Sequence, residues 1–475
     1  MRLWQLAARN LLRNRRRSLA TLLAMVVGLA AVLLFGGYRS NILHGLETGF
    51  VQYSGHLQVQ RRGYFLDGGD NPQAYGIAEH PRMIEAIRGD PQLAPLLRVV
   101  TPSLQVGGIA QHAAAGQTRS VMAIGLVADE FNRMREWNAY GVVSYALPLA
   151  LEGAPADAAV IGTGVARRLG LCEALAVPDC VSASPPRPGP KARGAGAATG
   201  LPDDLAVLAE ETAQDAQAAG GATAAAGRRI EMLAASAQGA PNVIGLQAVG
   251  YVNAGFKALD DVYLAMQLPQ AQRLVYGREP PRVTAIAVQL QRTAQLPAAR
   301  ARLQDLLAQE FGAQELELLD YRELNPMLDQ TDEFMGSMFG FITLLIGVIV
   351  LFTIANTMGA AVMERTVEIG TLRAMGMRRS GITALFLREA LLLGLAGVAA
   401  GLLLTFIAAT LINGSGWAWT PPGYSYAYLV LVRVWQDGAL LAGSVAGMLA
   451  ITLASAWWPA RRAARLEIVE ALRHA

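Results

Sequence analysis

Four stretches of the chain are apolar almost without interruption: residues 18–38, 334–363, 385–412 and 438–458. Each reaches the roughly 20 residues that a helix needs to cross the hydrocarbon core of a bilayer. They predict membrane spans at 18–38, 334–360, 385–412 and 437–458. Between the first two spans the pattern changes. Short runs rich in Val, Ile and Leu at 55–60, 103–109, 121–125, 243–252 and 282–289 read as strands. Residues 81–87 and 297–311 read as helices. The expected fold class is a membrane protein of four transmembrane α-helices, with a large α+β domain at 39–333 between helices 1 and 2.

Within that domain, residues 172–240 change character. A polyproline-like stretch, Pro185-Pro186-Arg187-Pro188-Gly189-Pro190, leads into Ala- and Gly-rich sequence. Such composition builds little core, and a flexible insertion is expected there.

Charge orients the chain, because cytoplasmic flanks carry an excess of basic residues. Arg2, Arg9, Arg13, Arg15, Arg16 and Arg17 precede span one. Arg365, Arg373, Arg378 and Arg379 lie in segment 361–384, and Arg461, Arg462, Arg465 and Arg473 in the tail 459–475. Loop 413–436 has only Arg433. Both termini and segment 361–384 are therefore expected in the cytoplasm of a bacterial inner-membrane protein, with domain 39–333 and loop 413–436 outside. Trp417, Trp419, Tyr424, Tyr426 and Tyr428 suit an interfacial aromatic belt on the outer side. Residues 1–17 read as an amphipathic cytoplasmic helix, with Leu3, Trp4, Ala7, Ala8, Leu11 and Leu12 on one side. Ordinary basic flanking explains the same residues. The first apolar run is too long for a cleavable signal peptide, and Tyr38-Arg39 offers no small-x-small site, so an uncleaved span is expected.

Composition then removes several chemistries. Of the 475 residues, 53% are hydrophobic and 16% charged; the net charge of +3 gives no reason to expect nucleic acid. The only lysines are Lys191 and Lys257, after Pro190 and Phe256, so no Gly-Lys-[Ser/Thr] phosphate loop exists in this sequence. No Asp, Glu, Lys, Arg or His lies in the core of a span; Arg388 and Glu389 stand at the cytoplasmic edge of span three, where they can snorkel to water at little cost. Buried charges mark ion relays, so ion-coupled transport is disfavoured. The five histidines share no ligand spacing, and no metal site is expected. Cys172 and Cys180 could pair as a disulfide, remain two thiols or form a metal pair. Gly336 and Gly340, Gly397 and Gly401, and Gly443 and Gly447 are spaced for close helix packing.

The segment after span two reads Glu364-Arg365-Thr366-Val367-Glu368-Ile369-Gly370-Thr371-Leu372-Arg373-Ala374-Met375-Gly376. Charges flank Ile369, Leu372 and Met375 as apolar knobs on a short helix that Gly376 can end. Such a helix suits a groove on a cytosolic partner; a solvated basic loop is the plainer alternative.

This segment closely resembles the coupling segment of the MacB/LolC–LolE/FtsX superfamily of ABC transporter permeases. Residues 8–17 resemble that superfamily's entry to its first span. Residues 459–473, with Pro459, Ala464, Glu470, Ala471, Leu472 and Arg473, resemble its closing signature, although Ile468 replaces the usual Pro. Residues 161–171 resemble its outer-domain pattern. Ser54-Gly55-His56-Leu57-Gln58-Val59 and Phe131-Asn132-Arg133-Met134 are similar to the lipoprotein-transporter branch.

The resemblance implies ATPase coupling at Glu364, Arg365, Glu368, Ile369, Gly370, Leu372, Arg373, Ala374 and Gly376. It implies a dimeric cytosolic ABC ATPase that holds ATP and Mg on a separate chain, and a second permease, identical or paralogous. Neither cofactor is expected on this chain, which is not itself expected to be an enzyme. The expected function is extraction or extrusion of lipoprotein or lipid at the outer leaflet, with membrane lipids or a periplasmic partner in contact. MacB-like export of periplasmic peptides or small molecules is the alternative, and FtsX-like regulation of a cell-wall hydrolase a further one. No substrate-binding residue is identified.

Overall fold

The computed structural model describes residues 4–5, 15–69, 71–112, 116–142, 148–180, 227–420 and 427–467. In chain order the main elements are α1 Arg15–Ser54, β1 Leu57–Arg61, α2 His80–Gly89, β2 Leu97–His112, β3 Gln117–Leu126, α3 Ala128–Arg135, β4 Ala158–Gly162 and α4 Thr163–Leu169. After the insertion come β5 Arg229–Ala235, β6 Pro241–Val252, β7 Tyr263–Gln267, α5 Leu268–Tyr276, β8 Ala285–Leu290, α6 Leu296–Phe311 and β9 Leu316–Asp320. The chain closes with α7 Pro326–Glu364, α8 Thr366–Ala374, α9 Arg379–Gly414 and α10 Gly438–Ala464. Two compact bodies result: Met1–Gly45 with Met327–Trp419 and Tyr428–Ala475, and Leu46–Pro326 with Thr420–Ala427.

Among the described residues, α1, α7, α9 and α10 are the four helices long and apolar enough to cross a membrane. They pack through inward stripes of Met25, Leu29 and Leu33 on α1 and of Val350, Ile354, Met358 and Val362 on α7. A Cβ on Gly397 or Gly401 would stand 3.0 Å from Met25 or Leu29, so this pair lets α9 close on α1. The other two pairs do not act this way: no atom lies within 4 Å of a Cβ on Gly340, Gly443 or Gly447, and Gly336 meets only Arg39. Helices α1 and α7 run to 40 and 39 residues, well past the predicted spans. Hydropathy registers only their apolar parts. At the polar margin Arg39, one turn after Phe35, pairs with Asp332, two turns before Phe339; the rings of Phe35 and Phe339 stack at 6.1 Å.

The second body is α+β, with a nine-stranded sheet in the order β3-β7-β4-β6-β5-β2-β8-β1-β9. Strand β3 also pairs with β2, so six strands, β2-β3-β7-β4-β6-β5, close into a ring. The 16-residue β2 makes this possible: residues 103–112 pair with β3 on one side, while 97–103 and 108–111 pair with β8 and β5 on the other. Alternate residues fill the ring, including Leu104, Val106, Val121, Ile161, Met232, Leu246 and Met266.

The insertion is narrower than 172–240. Strand β5 belongs to the sheet and buries Ile230, Met232 and Ala234 in strict alternation. Flanking Ala and Gly masked that period in the sequence. At the other end Leu171, Leu175 and Val177 join the core, and Cys172 and Cys180 are bonded (S–S 2.05 Å, Cα–Cα 5.5 Å). Closing so small a loop restricts the unfolded chain by about 2–3 kcal/mol. Substituting Cys172→Ser with Cys180→Ser should lower the urea stability of this domain by that amount; an unchanged midpoint would show the bond to be stabilising nothing.

Beside the end of α1, His56 is buried at the start of β1. Its Nδ1 accepts the Leu290 N–H (3.0 Å), so the neutral ring carries its proton on Nε2, 3.3 Å from Thr293 Oγ1. Trp137 and Tyr321 stand edge-on to the ring. Gln52 Nε2 donates to the Trp137 carbonyl, and Gln289 Nε2 to those of Val51 and Met134. Charging His56 would set a second donor against the Leu290 N–H. Burial lowers its pKa to about 4. Because the folded value lies below the unfolded 6.5, the unfolded chain binds the proton first. Stability should be complete above pH 6.5 and fall by about 3 kcal/mol as the pH drops to 4. Urea titrations across that range should show the slope, and His56→Gln, which cannot titrate, should flatten it. An equal slope in both proteins would refute the assignment.

Candidate coupling site

Segment 361–384 is not one helix. Helix α7 ends at Glu364, Arg365 leaves helical geometry (φ −109°, ψ 20°), and α8 occupies Thr366–Ala374. Gly376, at φ 93°, ends the unit in a Schellman arrangement: its N–H donates to Arg373 O (3.0 Å) and that of Met377 to Leu372 O (3.1 Å). The left-handed backbone there is why a glycine stands at this position.

The short helix sorts the predicted residues onto two faces. Ile369 and Gly370 are buried, and Ile369 joins a core with Val362, Ile382, Phe386, Ala460 and Ala463. Leu372, Met377 and Leu466 pack against the same core. Arg365 also faces inward, with Nη1 lying 3.2 and 3.3 Å from the two carboxylate oxygens of Glu389. Arg373 donates from Nη1 to the Leu466 carbonyl. On the other face Glu364, Glu368, Ala374 and Gly376 are exposed. Met363, Val367 and Met375 are exposed with them, Met363 and Met375 by 70% and 71%.

Ile369 and Leu372 are therefore not partner-facing knobs, as their composition suggested. They fasten α8 to its own membrane helices. The outward apolar positions are Met363, Val367 and Met375, of which the first two were missed. Only Val367 and Thr371 share a helical turn of α8; Met363 belongs to α7 and Met375 caps α8. Glu389 is a second correction: it is buried in an ion pair, not solvated at the membrane edge. Arg388 stacks over the Trp4 ring at 5.5 Å. In the tail, Pro459 and Ala464 are buried at the end of α10. Glu470, Ala471, Leu472 and Arg473 lie outside the described residues, as does most of the amphipathic segment 1–17.

A short charged helix held between two long apolar ones is thus the most distinctive feature of the first body. The family model described as FtsX-like permease C-terminal matches residues 338–468, covering α8 and the helices around it. The one described as MacB-like periplasmic core domain matches residues 18–178. The chain belongs to the MacB/FtsX superfamily. Among its relatives, MacB of Escherichia coli, described as a macrolide export ATP-binding/permease protein, is 30% identical over 198 residues, 40% of this chain and 28% of that protein. MacB of Chlorobium luteolum is 30% identical over 220 residues, 45% of this chain and 30% of that one. An uncharacterised ABC transporter permease of Methanocaldococcus jannaschii is 26% identical over 221 residues, 45% of this chain and 51% of that one. This permease therefore spans between 28% and 51% of these relatives' lengths.

Proposed function

We propose that the chain is the permease subunit of an ATP-driven transporter of the mechanotransmission type, with α8 as the docking point for a cytosolic ABC ATPase. One observation carries this reading: α8 is anchored inward by Ile369 and Arg373 and by Arg365 at its start, and it exposes Val367, Glu368 and Thr371, with Glu364 and Met375 exposed just before and just after it. A helix with apolar anchors between acidic side chains fits a basic-rimmed groove. In this reading the ATPase pushes α8, the membrane helices move, and the large domain acts on cargo on the far side of the membrane. Two permeases work together, and ATP and Mg are held by the ATPase.

Cargo has two readings. Extraction of lipoprotein or lipid follows from the resemblance to the lipoprotein-transporter branch. Export of small molecules or peptides is favoured by the relatives named for macrolide export. Reconstitution with each cargo class separates them, because only the true cargo raises ATP turnover. The docking reading is tested by a photocrosslinking amino acid at Val367 in intact cells. It should capture an ATP-binding protein, while the same probe at buried Ile369 should not. Capture of no such protein from Val367, or equal capture from both positions, would defeat it.

A further inference from the structure

We propose that the Arg365–Glu389 ion pair is the pin through which displacement of α8 reaches α9; the proposal rests on α8 being the ATPase-docking helix. Both side chains are almost fully enclosed, at 6% and 4% exposure. They belong to different elements: Arg365 to the junction between α7 and α8, and Glu389 to the third turn of α9. Near them in sequence on α8 and α9, Ile369, Ile382, Phe386 and Ala390 are buried in one apolar cluster.

An ion pair is a poor device for stability in such a place. Desolvation of both charges offsets most of their attraction, and well-packed apolar residues do as well or better. What an ion pair adds is registry. Apolar surfaces can slide past one another at little cost. Separating a buried guanidinium from the carboxylate that it pairs with is costly. The two helices are thereby held in step.

The far end of α8 is held too, by Arg373 on the Leu466 carbonyl just past α10. Helix α8 thus has two polar attachments, to two different membrane helices. The motif's charges divide accordingly, with Glu364 and Glu368 facing the partner and Arg365 and Arg373 facing the load. Beyond Glu389, α9 meets α1 where Gly397 and Gly401 accept Met25 and Leu29. A displacement of α9 is passed on there by close packing.

Arg365 and Glu389 are positioning residues, and the test separates positioning from docking. The full-length permease, purified with the ATP-hydrolysing subunit that accompanies it, is placed in phosphatidylethanolamine–phosphatidylglycerol vesicles. Glu389→Gln should leave the amount of copurified subunit within twofold of wild type. It should lower kcat for ATP tenfold or more, with an unchanged KM. The exchange Arg365→Glu with Glu389→Arg should recover kcat to within about threefold. A kcat for Glu389→Gln within twofold of wild type would overturn the proposal. So would loss of the subunit from that variant, or an exchange no better than the single substitution.

A second readout needs no ATPase. Nitroxides are placed at Met375→Cys, which caps α8, and Leu403→Cys on α9, both exposed positions, while the native cysteines are bonded. Their distance distribution should be narrow in the parent, broad with Glu389→Gln and narrow again in the exchange. Equal widths throughout would overturn the pin. Failure of any ATP-hydrolysing subunit to accompany the wild type would count against docking alone.

Discussion

Reversing the two exposed acidic side chains around the start of α8, Glu364→Arg with Glu368→Arg, is expected to reduce ATPase association tenfold to a hundredfold. Glu364 closes α7 and Glu368 lies in the first turn of α8, next to exposed Val367. An exposed ion pair contributes little, commonly under about 1 kcal/mol, so removing the charges alone would have a modest effect. Reversal is different because attraction becomes repulsion at two adjacent points. Like charges brought together across an interface oppose binding strongly. A combined effect of about 1.5–3 kcal/mol corresponds to the stated range. Raising the salt concentration should weaken the wild-type complex and relieve the variant, since both effects are screened. The measurement is the ratio of ATPase to permease after affinity purification. A ratio unchanged at low salt would remove Glu364 and Glu368 from the interface. Val367→Asp should act in the same direction by stranding a charge where an apolar contact is expected.

Gly162→Ala should be the most damaging single methyl in the large domain. Gly162 ends β4, and a Cβ there would lie 2.1 Å from the Asp260 carbonyl oxygen and 3.0 Å from its carbon. The clash is with backbone, so no rotamer change relieves it. The backbone cannot easily retreat, because the Asp260 side chain is tied into the same turn. Its Oδ1 accepts the Thr163 N–H (3.0 Å) and the Ala254 N–H (3.2 Å), and its Oδ2 accepts the Gly164 N–H (2.9 Å). Overpacking of a tight site costs about 1–3 kcal/mol and sometimes more. A loss of about 3 kcal/mol is expected in the urea stability of the domain. Gly89→Ala is the control, since no atom lies within 4 Å of a Cβ there. Equal stability of the two variants would show that the close approach at Gly162 is not tight in solution.

This pair of residues also explains a motif that was visible but unexplained in the sequence. Ile161-Gly162-Thr163-Gly164 reads only as a family pattern. Its physical cause is the loop at Asp260 and Asp261, almost a hundred residues away, pressing on both glycines. The long apolar helices were legible because each carries its own signal in hydropathy. So were strands β1, β2, β3, β6 and β8, rich in Val, Ile and Leu or flanked by clear turns. Strands β4, β5, β7 and β9 were not, because each is short and its sequence, Ala-rich in β4 and β5, gives no clear local period. Strand β5 was absorbed into the insertion for that reason.

At the coupling segment, the residue types were legible and their directions were not. Arg365 and Glu368 look equivalent in a charged stretch. The break after Glu364 turns one inward and leaves the other exposed. Glu389 looked like a solvated charge at a membrane edge, because its partner lies in another element.

Sidedness underlies every functional statement made for this permease, and single-cysteine accessibility tests it most directly. With Cys172 and Cys180 bonded to each other, a cysteine replacing Leu66 reports on the large domain and one replacing Met375 on α8; both positions are well exposed, at 81% and 71%. A membrane-impermeant maleimide applied to intact spheroplasts should label Leu66→Cys and leave Met375→Cys unlabelled until the membrane is permeabilised. Labelling of Met375→Cys in intact spheroplasts, with Leu66→Cys protected, would contradict the account.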